Sequence, residues 1–78
     1  MMVRVRLYGT LRRFSSPETP GLWTGEVPSR STVADVLAVI GIDPREVAGA
    51  SIRGELVRLD AKVPEDAELV LVTPIGGG

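Results

Sequence analysis

The sequence has no cysteine and no histidine. The first absence excludes a disulfide framework, a thiol nucleophile and a zinc cluster. The second removes the usual general base, the Ser–His pairing and the commonest metal ligand. Aromatic residues are scarce, with only Tyr8, Phe14 and Trp23, so an apolar content of 44% implies a core of Val, Leu and Ile. Neither sign of charge dominates: the net charge is −1 and no basic block occurs, which gives nucleic-acid binding little electrostatic support. Of the 9 basic residues only Lys62 is a lysine. No apolar run approaches the length of a membrane span, and Arg4 and Arg6 interrupt the first apolar stretch where a signal peptide needs continuity. These absences lead us to expect a cytoplasmic protein with no nucleic-acid or membrane partner. They also lead us to expect a chain that is not an enzyme by itself, since no catalytic constellation is present. The 78 residues form one small domain, which buries roughly 60% of its unfolded surface.

What is present concentrates at the end of the chain. The apolar run Leu69-Val70-Leu71-Val72 is followed directly by Thr73-Pro74-Ile75-Gly76-Gly77-Gly78. Pro74 cannot donate a ladder hydrogen bond and marks the exit from a sheet. Glycines have no side chain and thread a channel where any β-carbon would clash. Extended, the segment from Pro74 to Gly78 reaches roughly 17 Å, enough to carry a terminal carboxylate off the domain and into a partner's active site. The competing reading is a frayed end. Against it, the glycines follow the strand with no polar spacer, so the carboxylate stands at a fixed distance from a rigid body. We therefore expect residues 1–73 to be the folded domain and 74–78 a flexible glycine-rich tail.

Upstream, Val3, Val5 and Leu7 alternate with Arg4, Arg6 and Tyr8, the period of a strand with one buried face. Leu11 to Phe14 reads as a short helical turn or irregular loop, and Ser15 to Gly21 as a loop. Leu22 to Val27 reads as a second strand, weakened by Gly25. Val33, Val36, Leu37 and Ile40 fall on one helical face. Ser31 or Thr32 is the cap, Thr32 and Asp35 have capping-box spacing, and Gly41 is the stop. Such a helix, nine or ten residues long, has to pack on the sheet to be stable. Asp43-Pro44-Arg45-Glu46 repeats a helix-start signal for a short turn. Ala50 to Arg53 and Leu56 to Arg58 are weak strands around a Gly54-Glu55 turn. Leu59 to Pro64 connects, with Val63 inward, and Glu68 to Thr73 is a central strand, apolar on both faces. If the first and last strands are both central, they are most simply parallel, with the rest as crossover. The result is an α+β fold of β-grasp type: a mixed sheet of four to five strands wrapping one main helix.

The chain resembles the ubiquitin-like sulfur carriers of the ThiS/MoaD group over essentially its whole length. The likeness is carried by residues 3–12, the helix at 32–37, Ile52-Arg53-Gly54-Glu55-Leu56-Val57 and, most specifically, the terminal diglycine after Leu69 to Ile75. Ile52-Arg53-Gly54 stands where Val-Asn-Gly is common in that group, and Asp66-Ala67 where Gly-Asp is common. Both are turn positions. The resemblance implies that Gly78 is adenylated by an enzyme resembling the ubiquitin-activating class, using ATP and Mg²⁺ held by that partner, and is converted to a thiocarboxylate. It implies a sulfur-accepting synthase as second partner, either a molybdopterin synthase large subunit or a thiazole synthase. The chain itself would bind no cofactor or metal and would be a co-substrate, the small subunit if of the molybdopterin type. By this reading Gly77 and Gly76 thread the partner's channel.

Partner docking falls to Ile75 and Pro74, together with whichever of Leu69/Leu71 or Val70/Val72 faces away from the helix. Arg4, Arg6 and Arg58 are either a solvated face or pair with a partner's acids. Asp60, Glu65, Asp66 and Glu68 lack metal-loop spacing and read as solvated. Trp23 is either a core residue of the hairpin or a surface contact. Two other functions compete with the sulfur carrier: a ubiquitin-like modifier conjugated through Gly78, and a β-grasp interaction domain with an inert tail.

Overall fold

The computed structural model describes residues 1–74. Five strands form one sheet in the order β2-β1-β5-β3-β4: β1 Met2–Leu7, β2 Leu22–Glu26, β3 Gly49–Ile52, β4 Glu55–Val57 and β5 Glu68–Val72. β1 and β5 lie side by side and parallel, with Val5 opposite Leu69 and Leu7 opposite Leu71. The other three pairings are antiparallel. The alternation in β1 is realised, with Val3, Val5 and Leu7 buried. These residues share one core with Leu69 and Leu71 of β5, with Leu11, and with Val33, Val36 and Leu37 of the single α-helix, α1 Val33–Ile40. One mixed sheet wrapping one helix is the β-grasp fold expected from the pattern.

α1 has 8 residues rather than nine or ten, because Thr32 stands outside it as cap and Gly41 closes it in the left-handed conformation (φ 96°). The capping box is complete: the Thr32 hydroxyl accepts from the Asp35 N–H, and the Asp35 carboxylate accepts from the Thr32 N–H. The four N–H groups that a helix start leaves without intrahelical partners are all satisfied. Val33 and Ala34 donate to the carbonyls of Ala61 and Leu59, both at 2.9 Å. Asp35 donates to the Thr32 hydroxyl and Thr32 to the Asp35 carboxylate, and the intrahelical ladder begins with Val36 donating to the Thr32 carbonyl. The connector after β4 is thus the anchor of the helix N-terminus, and Val63 packs inward beside it. At the other end Gly41 and Ile42 both donate to the Leu37 carbonyl, and Ile42 is buried, the hydrophobic closure that accompanies a left-handed helix stop.

Of the two readings of Leu11 to Phe14 the helical turn holds, as a 3₁₀ turn spanning Gly9–Phe14. Three strand boundaries shift. β5 ends at Val72 rather than Thr73. β2 is bounded at Glu26, yet buried Val27 carries the pairing with β1 one residue further: its N–H donates to the Met1 carbonyl at 2.9 Å and its carbonyl accepts from the Met1 amino group at 2.7 Å. The β3–β4 turn is Arg53-Gly54, not Gly54-Glu55, since Glu55 pairs with Ile52. Both turn residues have positive φ, 54° and 83°, as the two-residue hairpin loop that matches strand twist requires. Arg53 and Asp66 (φ 68°) are two of the three non-glycine residues at positive φ among the described residues. They are the positions where this sequence departs from the Asn and Gly common in the group it resembles. Asp43 caps a 3₁₀ turn, Pro44–Glu46, by accepting from the Arg45 N–H.

Two substitutions test these local arguments by thermal unfolding. Thr32→Ala, which removes the acceptor for the Asp35 N–H, is expected to cost about 1 kcal/mol and lower Tm by about 4–8 °C. Arg53→Asn is expected to raise stability by about 0.5 kcal/mol, because asparagine adopts the left-handed region at lower cost.

Candidate functional site at the root of the tail

β5 sorts its four apolar residues by face. Leu69 and Leu71 are fully buried against the helix side, whereas Val70 is half-buried and Val72 is 39% exposed. Val70 and Val72 are therefore the pair that faces away from the helix. The registers place Val70 beside Arg6 and Ser51, Arg6 beside Leu22, and Ser51 beside Leu56, which is 85% exposed. Across the outer face the row runs Leu22, Arg6, Val70, Ser51, Leu56, so aliphatic side chains alternate with one charged and one polar residue.

That charge is largely paired within the chain. The Arg6 guanidinium donates to Glu68 at 3.1 and 3.4 Å, and Arg4 stands 3.5 Å from the same carboxylate. Arg58 faces Asp60 at 3.2 Å. Of the scattered carboxylates, Glu68 and Asp60 thus face arginines rather than one another. The Arg6 hydrogen bond holds the Glu68 carboxyl below the usual glutamate range, against the opposing effect of burial. Arg45 does the same for Asp43, and the cap hydrogen bonds from Thr32 do it for Asp35.

The place where β5 leaves the sheet is held from both flanks. On the β3 side the Ala48 N–H donates to the Val72 carbonyl at 2.7 Å. On the β1 side Gly9 packs against Thr73 with no room for a β-carbon. The two 3₁₀ turns that carry these flanks are tied together by Arg13 and Glu46 at 2.6 Å. Arg13 also lies over the Phe14 ring at 4.5 Å, a cation–π contact. An open recess of about 520 Å³ lies at the same end of the sheet, lined by Val47, Ala50, Val57, Leu59 and their neighbours. Pro74 is exposed. Ile75, Gly76, Gly77 and Gly78 lie outside the described residues. Trp23 is half-buried on the core rather than a free surface contact, and its ring lies where a β-carbon on Gly25 would stand.

Gly9, Ala48 and the Arg13–Glu46 pair were not legible as site residues. Gly9 carried one signal, a glycine directly after an alternating strand, but that signal reads equally as a strand stop.

A model of the ThiS family matches residues 5–78. The chain belongs to the ThiS family. Its members are ubiquitin-like proteins of the sulfur carrier and modifier type, generally carriers rather than enzymes, and they generally work with an adenylating enzyme and an acceptor. Among solved structures the chain is similar to SAMP1 from Haloferax volcanii, with a TM-score of 0.72 and 22% identity over 100% of both chains. At that identity the likeness shows the shared β-grasp fold. No curated protein matches the sequence. No helix among the described residues is long and apolar enough to cross a membrane.

The Arg6–Glu68 pair makes a signed prediction. A carboxyl whose pKa is depressed on folding contributes stability above its unfolded pKa and loses it as pH falls through the folded one. Urea unfolding below the usual glutamate range should therefore show wild-type stability falling towards that of Glu68→Gln. An unchanged gap down to strongly acid pH would contradict the pairing.

Proposed function

We propose that this ThiS-family protein is a sulfur carrier in cofactor biosynthesis, of molybdopterin or thiamine type, whose reacting group is the Gly78 carboxylate. The observation that carries the reading is a division of labour. The sequence holds neither Cys nor His, while its diglycine-ended tail follows directly on a central strand whose last residues are pinned from both sides. A chain built this way presents a carboxylate and leaves catalysis to partners.

The chemistry follows from the carboxylate. Its resonance-stabilised anion is a poor electrophile and has to be activated. A carboxylate oxygen attacks the α-phosphorus of ATP in the adenylating enzyme, and pyrophosphate leaves. The partner's Mg²⁺ and basic groups stabilise the developing charge. The terminal sulfur of a partner's persulfide then attacks the acyl carbon and AMP leaves, giving an acyl disulfide. A second partner thiol attacks the distal sulfur of that linkage, forms a protein disulfide and releases the thiocarboxylate. The thiocarboxylate sulfur is nucleophilic and is passed to the accepting synthase.

Docking is assigned to the face away from the helix, with Val70 and Val72 near the exit and Pro74 and Ile75 beyond it. Gly76 and Gly77 thread the channel. Burial of an aliphatic patch supplies affinity, and the rigid root places the tail relative to that patch.

ATP–pyrophosphate exchange with the adenylating enzyme of the same host tests both parts. Deletion of Gly78 is expected to reduce exchange to background, whereas an inert tail predicts background exchange from the full chain as well. Val72→Asp is expected to raise KM about tenfold, the equivalent of roughly 1.4 kcal/mol of docking, with kcat retained.

A further inference from the structure

The contact between Gly9 and Thr73 does something that neither family membership nor the docking face requires. A β-carbon built on Gly9 would overlap the Thr73 hydroxyl oxygen and stand 3.4 Å from both Cβ and Cγ2 of Thr73. Gly9 has φ +58°, a conformation in which an L side chain is already strained. Its position follows from the parallel register. Leu7 lies opposite Leu71, so two residues further along both chains the first turn after β1 meets the first residue after β5. Thr73 is therefore wedged. Its side chain fills the space that Gly9 leaves, the Val72 carbonyl before it is held by the Ala48 N–H at 2.7 Å, and Pro74 after it restricts its backbone to extended conformations.

We infer that Gly9 is a positioning residue. By accepting the Thr73 side chain it sets the direction in which the tail leaves the sheet, and so the volume the carboxylate has to search once the protein is docked. This inference rests on the sulfur-carrier reading. The root gives it weight, because Thr73 fixes the point and direction from which the following residues start, and misplacement of reacting groups by about 1 Å is enough to cost 10²-fold in rate. Glycines carry no directional preference of their own, so direction has to come from the root.

The pair makes a reciprocal prediction. Removing the methyl and hydroxyl of Thr73 makes room for a methyl on residue 9, which restores the contact with the filling atom moved from one partner to the other. Gly41 provides the control, since it has φ +96° and nothing within 4 Å of an added β-carbon. Gly41→Ala carries the backbone strain without the clash.

The experiment is steady-state ATP–pyrophosphate exchange with the host's adenylating enzyme, with folded fraction checked by circular dichroism. Gly9→Ala is expected to lower kcat about tenfold at unchanged KM, because the outer face is untouched. Adding Thr73→Ala to Gly9→Ala is expected to recover most of that loss. Thr73→Gly, which opens the contact from the other side and keeps the domain folded if Gly9→Ala does not, is expected to lower kcat in the same way. Gly41→Ala is expected to lose stability and keep kcat. The inference is overturned if folded Gly9→Ala or Thr73→Gly turns over like wild type, if the loss appears in KM, or if Thr73→Ala fails to relieve folded Gly9→Ala. A wild-type protein that supports no exchange would overturn the sulfur-carrier reading itself, a result distinct from all of these.

Discussion

The parallel pairing of β1 with β5 is the constraint from which the rest of this structure follows. Parallel strands cannot be joined by a tight turn and need a crossover, so everything between Leu7 and Glu68 has to lie outside that central pair. The chain meets this with two antiparallel additions, β2 on the outer side of β1 and β3 with β4 beyond β5, and with one helix over the face they share. Because β5 is central, its ladder is occupied on both sides, and the chain that leaves it starts from the most constrained place in the sheet. A tail leaving an edge strand would have a root held on one side only.

The same pairing divides labour within β5. Leu69 and Leu71 complete the core, while Val70 and Val72, one residue out of phase, stay on the open face. Two residues later the strand has become the root of the tail. Core, open face and exit are thus supplied by six consecutive residues, Glu68 to Thr73. The Arg6–Glu68 hydrogen bonds mark one end of that segment, and the Gly9–Thr73 contact marks the other.

Much of this was legible in the sequence because local chemistry and global fold agree. The alternation Val3-Val5-Leu7, the Thr32–Asp35 box and the Gly41 stop each carry a mechanism that acts over a few residues, and each is found where that mechanism puts it. The Pro74 exit is likewise a local signal. The errors arose where the fold overrode a residue's own preference or where the deciding interaction was distant. The β3–β4 turn moved by one residue because the Ile52–Glu55 pairing places Arg53 in a left-handed conformation that arginine itself disfavours. Alternation in β5 showed two faces but not which was inner, since that is decided by the helix. The partners of Arg4 and Arg6 lie on Glu68, far along the chain. Gly9 and Thr73 are brought together only by the register of the parallel pair, which periodicity does not report.

The central claim is that Gly78 carries sulfur, and the absence of cysteine gives it a clean test. A thiocarboxylate would be the only thiol-like group in the protein. The purified chain, with nothing added after Gly78, is incubated with its adenylating enzyme, ATP·Mg²⁺ and a persulfide donor, treated with a thiol-selective alkylating reagent and read by intact mass and tail-peptide sequencing. The account predicts an alkylated, ATP-dependent fraction with the modification on Gly78. A chain that is adenylated yet never alkylated, with Gly78 recovered instead in isopeptide bonds to lysines of other proteins, would contradict it.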